Sequence, residues 1–292
     1  MRIDVLTPTT QLIGQRLAVN NLNCQFTNHN SLITIMLFEN SIVGPIHSRR
    51  LGSSLGVNLL PLKHKYCSYD CIYCECGWNK ESEQQEKVFA TPSELKGLLQ
   101  RRLEQLKEEG ARVDSFTFAG NGEPTLYPQF PEMVDVVREM RDLYYPKAVT
   151  TLLTNATQLR RKEIFDAVMK LDNPVLKLDA GTERMRQLIN KNNDMGCTWD
   201  ELIANLTAFG SHGIIQTLLF DGYSEGQHVS NIIDSEFTPY LAYLKQICPR
   251  YVMLYALDRA TPEKDLRKLS VEELEQYAQV IRKEGIEVKV YG

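Results

Sequence analysis

Residues 66–74 read YCSYDCIYC and carry three cysteines, Cys67, Cys71 and Cys74, in the spacing C-x3-C-x2-C. They follow an apolar run at 55–60 that suits a buried strand, so we expect the three thiols to share one strand-end loop. Structural zinc usually takes four protein ligands, and a fully protein-ligated 4Fe–4S cluster takes four cysteines. Three cysteines therefore favour an iron–sulfur cluster with one iron left open for a ligand that is not a protein side chain.

The other four cysteines are predicted to lie outside this centre. Cys76 follows Cys74 by only two residues, which makes it sterically awkward as a fourth ligand, and we interpret it as a bystander thiol. Cys24, Cys197 and Cys248 are isolated in the sequence, as core or surface cysteines usually are. An odd total of seven, in a chain without the layout of a secretory signal, argues against a disulfide framework.

Composition narrows the class of protein. The chain has 292 residues and a formal net charge of -4, so it lacks the basic excess typical of proteins that grip nucleic acid by its phosphates. It has no uncharged apolar run of about 18 residues, the length of a membrane span. We therefore expect a cytoplasmic protein with no membrane partner.

Strands and helices alternate from residue 55 onward. Helix starts are predicted where capping boxes begin, at Thr91, Thr198 and Ser270, and further helices over 131–143, 158–171 and 238–247. Buried parallel strands are predicted at 55–60, 115–119, 148–153, 175–178, 214–220 and 251–257, with a short final strand at 286–291. This order predicts an α/β fold, a partial (β/α)6 barrel whose site lies at the carboxyl ends of the strands.

The first forty residues lack this organisation. They are polar and show no clear period, so we expect an N-terminal extension over 1–40 and one core domain over 41–292. The functional part is expected to begin near Met36. The alternative is that the leading residues form a covering strand or helix.

A second motif lies at 115–128, SFTFAGNGEPTLYP, where a strand runs into a glycine-rich turn. Gly120 and Gly122 would let the backbone come close to a ligand, and Glu123 could accept charge-assisted hydrogen bonds from an ammonium group. The simpler alternative is a strand–turn ended by Pro124.

Polar residues also follow the next two predicted strands. Asn155 and Asp179 stand where the mouth of the barrel should be, although Asn155 could simply cap its turn. Lys177 lies two residues before Asp179 and so on the same strand face. It could meet a substrate, and a structural ion pair is equally compatible with the sequence. Gln216 and Thr217, on the fifth strand, are weaker candidates.

Two arginine-containing stretches complete the candidates. Arg259 could bind an anionic substrate group bidentately or pair with Asp258. Residues 44–56, which contain three glycines and two arginines, suggest a shaped loop that approaches the site. Within it, His47 is more readily a solvated loop residue than an acid or base.

The cysteine spacing, with the aromatic Tyr73 just before the last cysteine, resembles the signature of the radical S-adenosylmethionine superfamily. The resemblance implies that three thiolates hold a 4Fe–4S cluster and that the amino and carboxylate groups of S-adenosylmethionine chelate its fourth iron. Reductive cleavage would then yield a 5′-deoxyadenosyl radical that abstracts hydrogen from a substrate. The residues it implies at the cofactor are Tyr73, Gly120, Asn121, Gly122, Glu123, Pro124, Asn155 and Asp179.

Taken together, residues 36–292 are similar to a group of radical S-adenosylmethionine Fe–S oxidoreductases related to tRNA 4-demethylwyosine synthases. Those synthases carry a second cluster on upstream cysteines, which Cys24 alone does not support here. The resemblance implies a small electron donor of the flavodoxin or ferredoxin type, and it leaves the substrate open between tRNA and protein. The alternatives are a transferase built on the same cluster, or an iron–sulfur electron carrier or zinc-binding module without this cofactor chemistry.

Overall fold

A curled eight-stranded sheet organises the chain in a computed structural model that describes residues 36–79, 87–193 and 196–292. Its strand order is β1-β2-β3-β4-β5-β6-β9-β11, parallel throughout except that β1 runs antiparallel to β2. The strands are β1 Ile42–Ser48, β2 Gly52–Val57, β3 Ser115–Phe118, β4 Val149–Thr154, β5 Asn173–Lys177, β6 Ile214–Leu218, β7 Phe220–Ser224, β8 Gln227–Ser230, β9 Val252–Tyr255, β10 Leu266–Lys268 and β11 Val288–Tyr291. The predicted partial barrel is confirmed.

Helices cover one face of this sheet, with one exception. The helices are α1 Pro92–Glu108, α2 Phe130–Tyr144, α3 Lys162–Val168, α4 Glu183–Asn190, α5 Trp199–Phe209, α6 Asp234–Ile247 and α7 Val271–Lys283. The exception is α4, whose buried residues pack with the cysteine loop. All three predicted capping boxes are present, at Thr91, Thr198 and Ser270. None of the helices in the described ranges is long and apolar enough to cross a membrane.

The two faces of the sheet differ in chemistry because side chains alternate along a strand. In β3, Phe116 and Phe118 are fully buried in the main apolar core with the helices. Thr117 points to the opposite, concave face, where its hydroxyl lies 2.7 Å from that of Ser54 in β2. The apolar core therefore lies between sheet and helices, and polar groups line the inside of the half-barrel.

The β1–β2 hairpin was not predicted, since residues 44–56 read as a loop. The segment is rich in glycine, serine and arginine, which are poor strand formers. It is ordered because β1 pairs with β2, and the sequence pattern does not show this pairing. At the hairpin tip, Arg49 donates hydrogen bonds to the carbonyl of Gly292 and, at 2.8 Å, to Asp258. The two ends of the sheet thus approach each other.

Two other predictions needed correction, and one helix was missed. The expected strand at 214–220 breaks after Leu218, and β7 turns away to form a small antiparallel sheet with β8 and β10. The helix expected over 158–171 is a short 3-10 turn, Thr157–Arg160, followed by α3. Helix α4 was missed, although the side chain of Thr182 caps its first turn.

The chain packs against the cysteine loop from the first described residue. The amide of Met36 donates to the carbonyl of Glu75 at 2.9 Å, and Phe38 exchanges hydrogen bonds with the side chain of Asn121. Residues 1–35, and with them most of the predicted extension, lie outside the described part of the chain. The boundary of the domain remains a prediction.

Candidate active site

The three cysteines of the motif lie in the loop that follows β2, at the carboxyl end of the sheet. Nitrogen–hydrogen donors point at their sulfurs: the amide of Tyr69 at 3.4 Å from Cys67 Sγ, and the side chain of Asn190 at 3.3 Å from Cys71 Sγ. Hydrogen bonds to sulfur stabilise thiolates and tune the potential of iron–sulfur clusters.

A buried lysine compensates for the negative charge that thiolates would bring. Lys65 is 3% exposed, and its Nζ lies 2.9 Å from Asp70 Oδ1 and 3.0 Å from the carbonyl of Gly77. Burial alone would lower its pKa, but the nearby thiols and Asp70 raise the pKa of Lys65 above its ordinary value. It is a fixed cation beside the cysteines.

Burial and neighbouring groups move the pKa values of the thiols in opposite directions. Burial raises the pKa of Cys67 above its usual range and that of Cys71 to about 11. A hydrogen bond from the thiol of Cys76, together with Lys65, lowers the pKa of Cys74 to about 6. The Sγ of Cys76 also lies 3.8 Å from the carbonyl oxygen of Gly120.

The donor set fits an iron–sulfur cluster. The thiols of Cys67, Cys71 and Cys74 come with N–H donors and with the cation of Lys65, which a polyanionic cluster needs when it is buried. A single zinc ion instead needs all its ligands within about 2.3 Å of one point. Three thiols leave a structural zinc ion one ligand short, whereas they match a cluster with one open iron.

The glycine-rich turn at the end of β3 is docked against the cysteine loop. Tyr66 donates its amide to the carbonyl of Asn121 at 2.8 Å, and its own carbonyl accepts from the amide of Glu123 at 3.0 Å. A Cβ on Gly120 would lie 2.1 Å from Oδ1 of Asn58, and one on Gly122, whose φ is +140°, would lie 1.9 Å from the carbonyl oxygen of Tyr66. Both glycines therefore allow close approach of the chain itself.

The Gly122→Ala variant tests this docking. Its Cβ would collide with the backbone of Tyr66 and would hold a strained φ, so we expect a loss of about 3 kcal/mol or more in the free energy of unfolding. Gly110→Ala is the matched control, because Gly110 also has a positive φ, +64°, but nothing stands within 4 Å of its Cβ position. It should cost only about 1–2 kcal/mol. Urea unfolding measures both, and equal losses would show that backbone strain rather than docking accounts for the effect.

Glu123 is buried at the start of the turn that follows β3. One carboxylate oxygen, Oε1, accepts from the amide and hydroxyl of Thr125 and, at 2.6 Å, from the hydroxyl of Thr154. The other, Oε2, accepts from the amide of Asn155 at 2.7 Å and keeps capacity for a further donor. Burial raises the pKa of Glu123, and these hydrogen bonds oppose the rise.

Asn155 links this carboxylate to the cysteine loop. While its amide donates to Glu123, its side-chain nitrogen lies 2.9 Å from Ser68 Oγ and 3.6 Å from Cys67 Sγ. Its side-chain oxygen accepts from the amide and hydroxyl of Thr157, the first residue of the following 3-10 turn. Both roles that the sequence left open for Asn155, turn cap and site residue, are compatible with these contacts.

The other residues of the glycine-rich motif serve the fold. The side chain of Asn121 bonds to the backbone of Phe38 and to the carbonyl of Pro61. Pro124 occupies the first position of the short 3-10 helix, which Glu123 caps. Contact of Asn121 and Pro124 with a cofactor remains a prediction.

Asp179, at the end of β5, organises the opposite side of the cysteine loop. Its Oδ1 accepts from the amide of Leu218 at 2.9 Å, and its Oδ2 accepts from the hydroxyl of Tyr73. Asn190 donates 2.8 Å to that same hydroxyl and lies 3.4 Å from Oδ2. Tyr73 is thus turned toward Asp179, and burial together with that carboxylate raises the pKa of Tyr73.

Lys177 makes the structural ion pair that its position allowed, with its Nζ 3.3 Å from Asp179 Oδ2. It also donates to the hydroxyl of Tyr255 in β9 at 2.7 Å. Burial lowers its pKa, but Asp179 and Tyr255 outweigh that effect, so the pKa of Lys177 lies above its ordinary value.

The weaker candidates are placed as follows. Arg259 pairs with Glu75 at 2.7 Å rather than with Asp258. His47 is exposed on β1. Gln216 contacts Met253, whereas Thr217 bonds to the carbonyl of Leu178 and the hydroxyl of Tyr240.

Beyond the carboxyl end of β9, the chain forms an open cavity of about 420 Å³. The cavity is lined by Leu257, Asp258, Arg259, Ala260, Thr261, Lys264, Leu266 and Lys268. The loop that forms it also touches the cysteine loop, because the amide of Glu263 donates to the carbonyl of Ile72.

Sequence reasoning missed Lys65 and Asn190. Asn190 closes helix α4 and reaches Cys71 from 119 positions away. Its helix could have been found from Thr182, which follows the glycine after Asp179 and caps the helix. Lys65 belongs to no sequence motif that would have marked it as a site residue.

A half-barrel with three cysteines and a buried glutamate at its carboxyl edge defines a class of iron–sulfur enzymes. Residues 63–231, more than half of the chain, match the Radical SAM superfamily, and the protein belongs to this superfamily.

The chain also matches curated relatives. The chain is 31% identical over 236 residues to a UPF0026 protein of Helicobacter pylori, covering 80% of this chain and 71% of the relative. It is 28% identical over 243 residues to a protein named GTPase Obg of Brachyspira hyodysenteriae, covering 80% of this chain but 32% of that longer protein. This chain contains no Gly-Lys pair of the kind that binds nucleotide phosphates in P-loops.

Among solved structures, a radical SAM methyltransferase from Sphaerobacter thermophilus superposes with a TM-score of 0.58 at 17% identity, covering 82% of this chain and 65% of that one. TYW1 with a lysine-pyruvate adduct bound gives a TM-score of 0.56 at 15% identity, covering 79% and 73%. At identities this low, these superpositions show a shared fold and nothing more.

Proposed function

We propose that this protein uses a 4Fe–4S cluster on Cys67, Cys71 and Cys74 to cleave S-adenosylmethionine reductively, and that the resulting 5′-deoxyadenosyl radical abstracts hydrogen from a substrate. The observation that carries the proposal is the docking of the Glu123 turn onto the cysteine loop through Tyr66 and Asn155. Thiols and a carboxylate that could take an amino group are thereby held in one rigid unit.

The chain's own groups have distinct roles in this proposal. The three thiolates hold three irons, and Lys65 offsets part of their charge. Oε2 of Glu123 accepts a hydrogen bond from the amino group of the cofactor, because Oε1 is already occupied by Thr125 and Thr154. Burying an ionised carboxylate is costly unless donors surround it, and an N–H of the bound amino group would join those of Thr125, Thr154 and Asn155.

The finer assignments are also proposals. We propose an oxidoreductase that receives its electron from a small flavodoxin- or ferredoxin-type donor, acts in the cytoplasm without a membrane partner, and modifies a tRNA or activates a protein. The likeness to TYW1 is a likeness of fold, and it supports a tRNA substrate only to that extent.

Anaerobic reconstitution tests the proposal. The wild-type chain, loaded with iron and sulfide and reduced with dithionite, is expected to form 5′-deoxyadenosine from S-adenosylmethionine, as measured by liquid chromatography and mass spectrometry. Omitting dithionite is the control, because cleavage needs one electron. A protein that takes up zinc in place of the cluster, or that holds a cluster and never cleaves the cofactor, would contradict the proposal.

A further inference from the structure

Lys177 and Tyr255 meet on the concave face of the half-barrel. They close β5 and β9, which lie on either side of β6, and their neighbours Leu176 and Leu254 are buried in the helix-covered core on the other face. The Nζ of Lys177 lies 2.7 Å from the hydroxyl of Tyr255 and 5.2 Å from its ring centre, so the ammonium group sits off the hydroxyl end of the ring. The ring face is left for another group.

Arg50 covers that face from the hairpin tip. Its Cζ lies 4.8 Å from the ring centre of Tyr255, a distance suited to a cation–π contact. Arg50 is partly exposed, and within the described ranges its guanidinium donates no hydrogen bond and pairs with no carboxylate. Its neighbour Arg49 instead uses its guanidinium on Asp258 and Gly292.

The charges at this point do not balance. Lys177 is matched by Asp179, but Arg50 adds a second cation with no acidic partner. The cavity of about 420 Å³ begins two residues beyond Tyr255, at Leu257. Of its three basic lining residues, Arg259 pairs with Glu75 and Lys268 lies 3.8 Å from Asp258, whereas Lys264 makes no ion pair within the described ranges. Arginine presents several donors in a fixed fork that matches carboxylate and phosphate oxygens.

We propose that Arg50, with Lys177 beside it on Tyr255, receives an anionic group of the substrate, a carboxylate or a phosphate, at the mouth of the barrel. This inference rests on the proposed function and narrows its substrate to an anionic one. The cavity beyond β9 would hold the body of that substrate.

Arginine footprinting tests the inference on the reconstituted wild-type protein with saturating S-adenosylmethionine and no reductant. Phenylglyoxal modifies arginine side chains, and peptide mass spectrometry follows Arg50 and Arg49 separately. Inorganic phosphate and succinate are the probes, with chloride at equal ionic strength as the control. At about four times its dissociation constant, a bound anion should slow modification of Arg50 about fivefold and leave Arg49 unchanged.

A matched pair of variants provides a second measurement. Calorimetric titration with the protecting anion should show binding weakened about tenfold in Arg50→Gln and unchanged in Arg49→Gln, because only Arg50 lacks an internal partner. Both residues lie in the hairpin turn, so neither substitution disturbs the core.

The outcomes show whether the bound anion is a phosphate, a carboxylate or a group of the cofactor. Protection by phosphate alone or by succinate alone supports the site and assigns its anion. Protection of neither arginine, or of both equally, overturns it. Protection of Arg50 by S-adenosylmethionine itself, with no further effect of the probes, would assign the anion to the cofactor and also overturn the substrate assignment. Formation of 5′-deoxyadenosine is measured separately, so the proposed function can stand while this inference fails.

Discussion

The Cys71→Ala variant is expected to lose its iron–sulfur cluster and to form 5′-deoxyadenosine at least about a thousandfold more slowly than the wild type, a difference of about 4 kcal/mol in barrier. Cys71 is one of three thiols available to the cluster, and the side chain of Asn190 donates to its sulfur. Alanine removes the ligand, while Asn190 keeps its hydrogen bond to the hydroxyl of Tyr73. Iron and sulfide analysis, with the visible spectrum, measures the cluster, and chromatography measures the product.

Cys76→Ala is the matched control, because Cys76 lies in the same loop, two residues after Cys74. It should keep the iron and sulfide content of a 4Fe–4S cluster and cleave the cofactor within a few-fold of the wild-type rate. If Cys76→Ala lost the cluster while Cys71→Ala kept it, the ligand set proposed for this protein would be wrong.

The parts of the fold that the sequence predicts are those with strong local signals. Thr91, Thr198 and Ser270 start helices because each forms a reciprocal capping box within four residues. The β1–β2 hairpin has no such signal. It is held by pairing within the sheet and by the contact of Arg49 with Gly292, at the far end of the chain.

The same division holds at the site. Cys67, Cys71 and Cys74 were evident from spacing alone, whereas Asn190 joins them only through long-range packing. Asp179 was expected at the cofactor, and that contact stays a prediction, whereas the donors to its two oxygens, Leu218 and Tyr73, could not be read from the sequence. A sequence indicates which groups stand at a strand end, but which partners satisfy them depends on elements far away in the chain.

Glu123→Gln is expected to weaken binding of S-adenosylmethionine about tenfold or more, since a charge-assisted hydrogen bond is worth about 1.5–3 kcal/mol. The amide also has one acceptor oxygen where the carboxylate has two. Its NH2 group would face donors from Thr125, Thr154 or Asn155, so the free energy of unfolding should fall by about 1–3 kcal/mol as well. Glu108→Gln, on the exposed end of α1, is the control and should change neither quantity.

The pH dependence separates a charge role of Glu123 from a purely structural one. Burial raises its pKa above the ordinary 4.5, so in the cofactor-free protein ionisation is disfavoured by folding. The stability that Glu123 contributes is therefore full below its unfolded pKa and is lost as pH rises through the raised value. The ionised carboxylate is the stronger acceptor for an N–H of the cofactor's amino group, so affinity for S-adenosylmethionine should rise over that same interval.

In Glu123→Gln, which cannot ionise, both pH trends should disappear over this interval. Equilibrium dialysis of the oxidised, cluster-loaded protein measures the affinity, and urea unfolding without the cofactor measures the stability. A parallel rise of affinity with pH in wild type and variant would show that another group titrates, and Glu123 would then be a turn cap held by Thr125 and Asn155 rather than the acceptor for the cofactor's amino group. Opposite pH trends in stability and affinity, present only with the carboxylate, are what its burial among donors beside the cysteine loop requires.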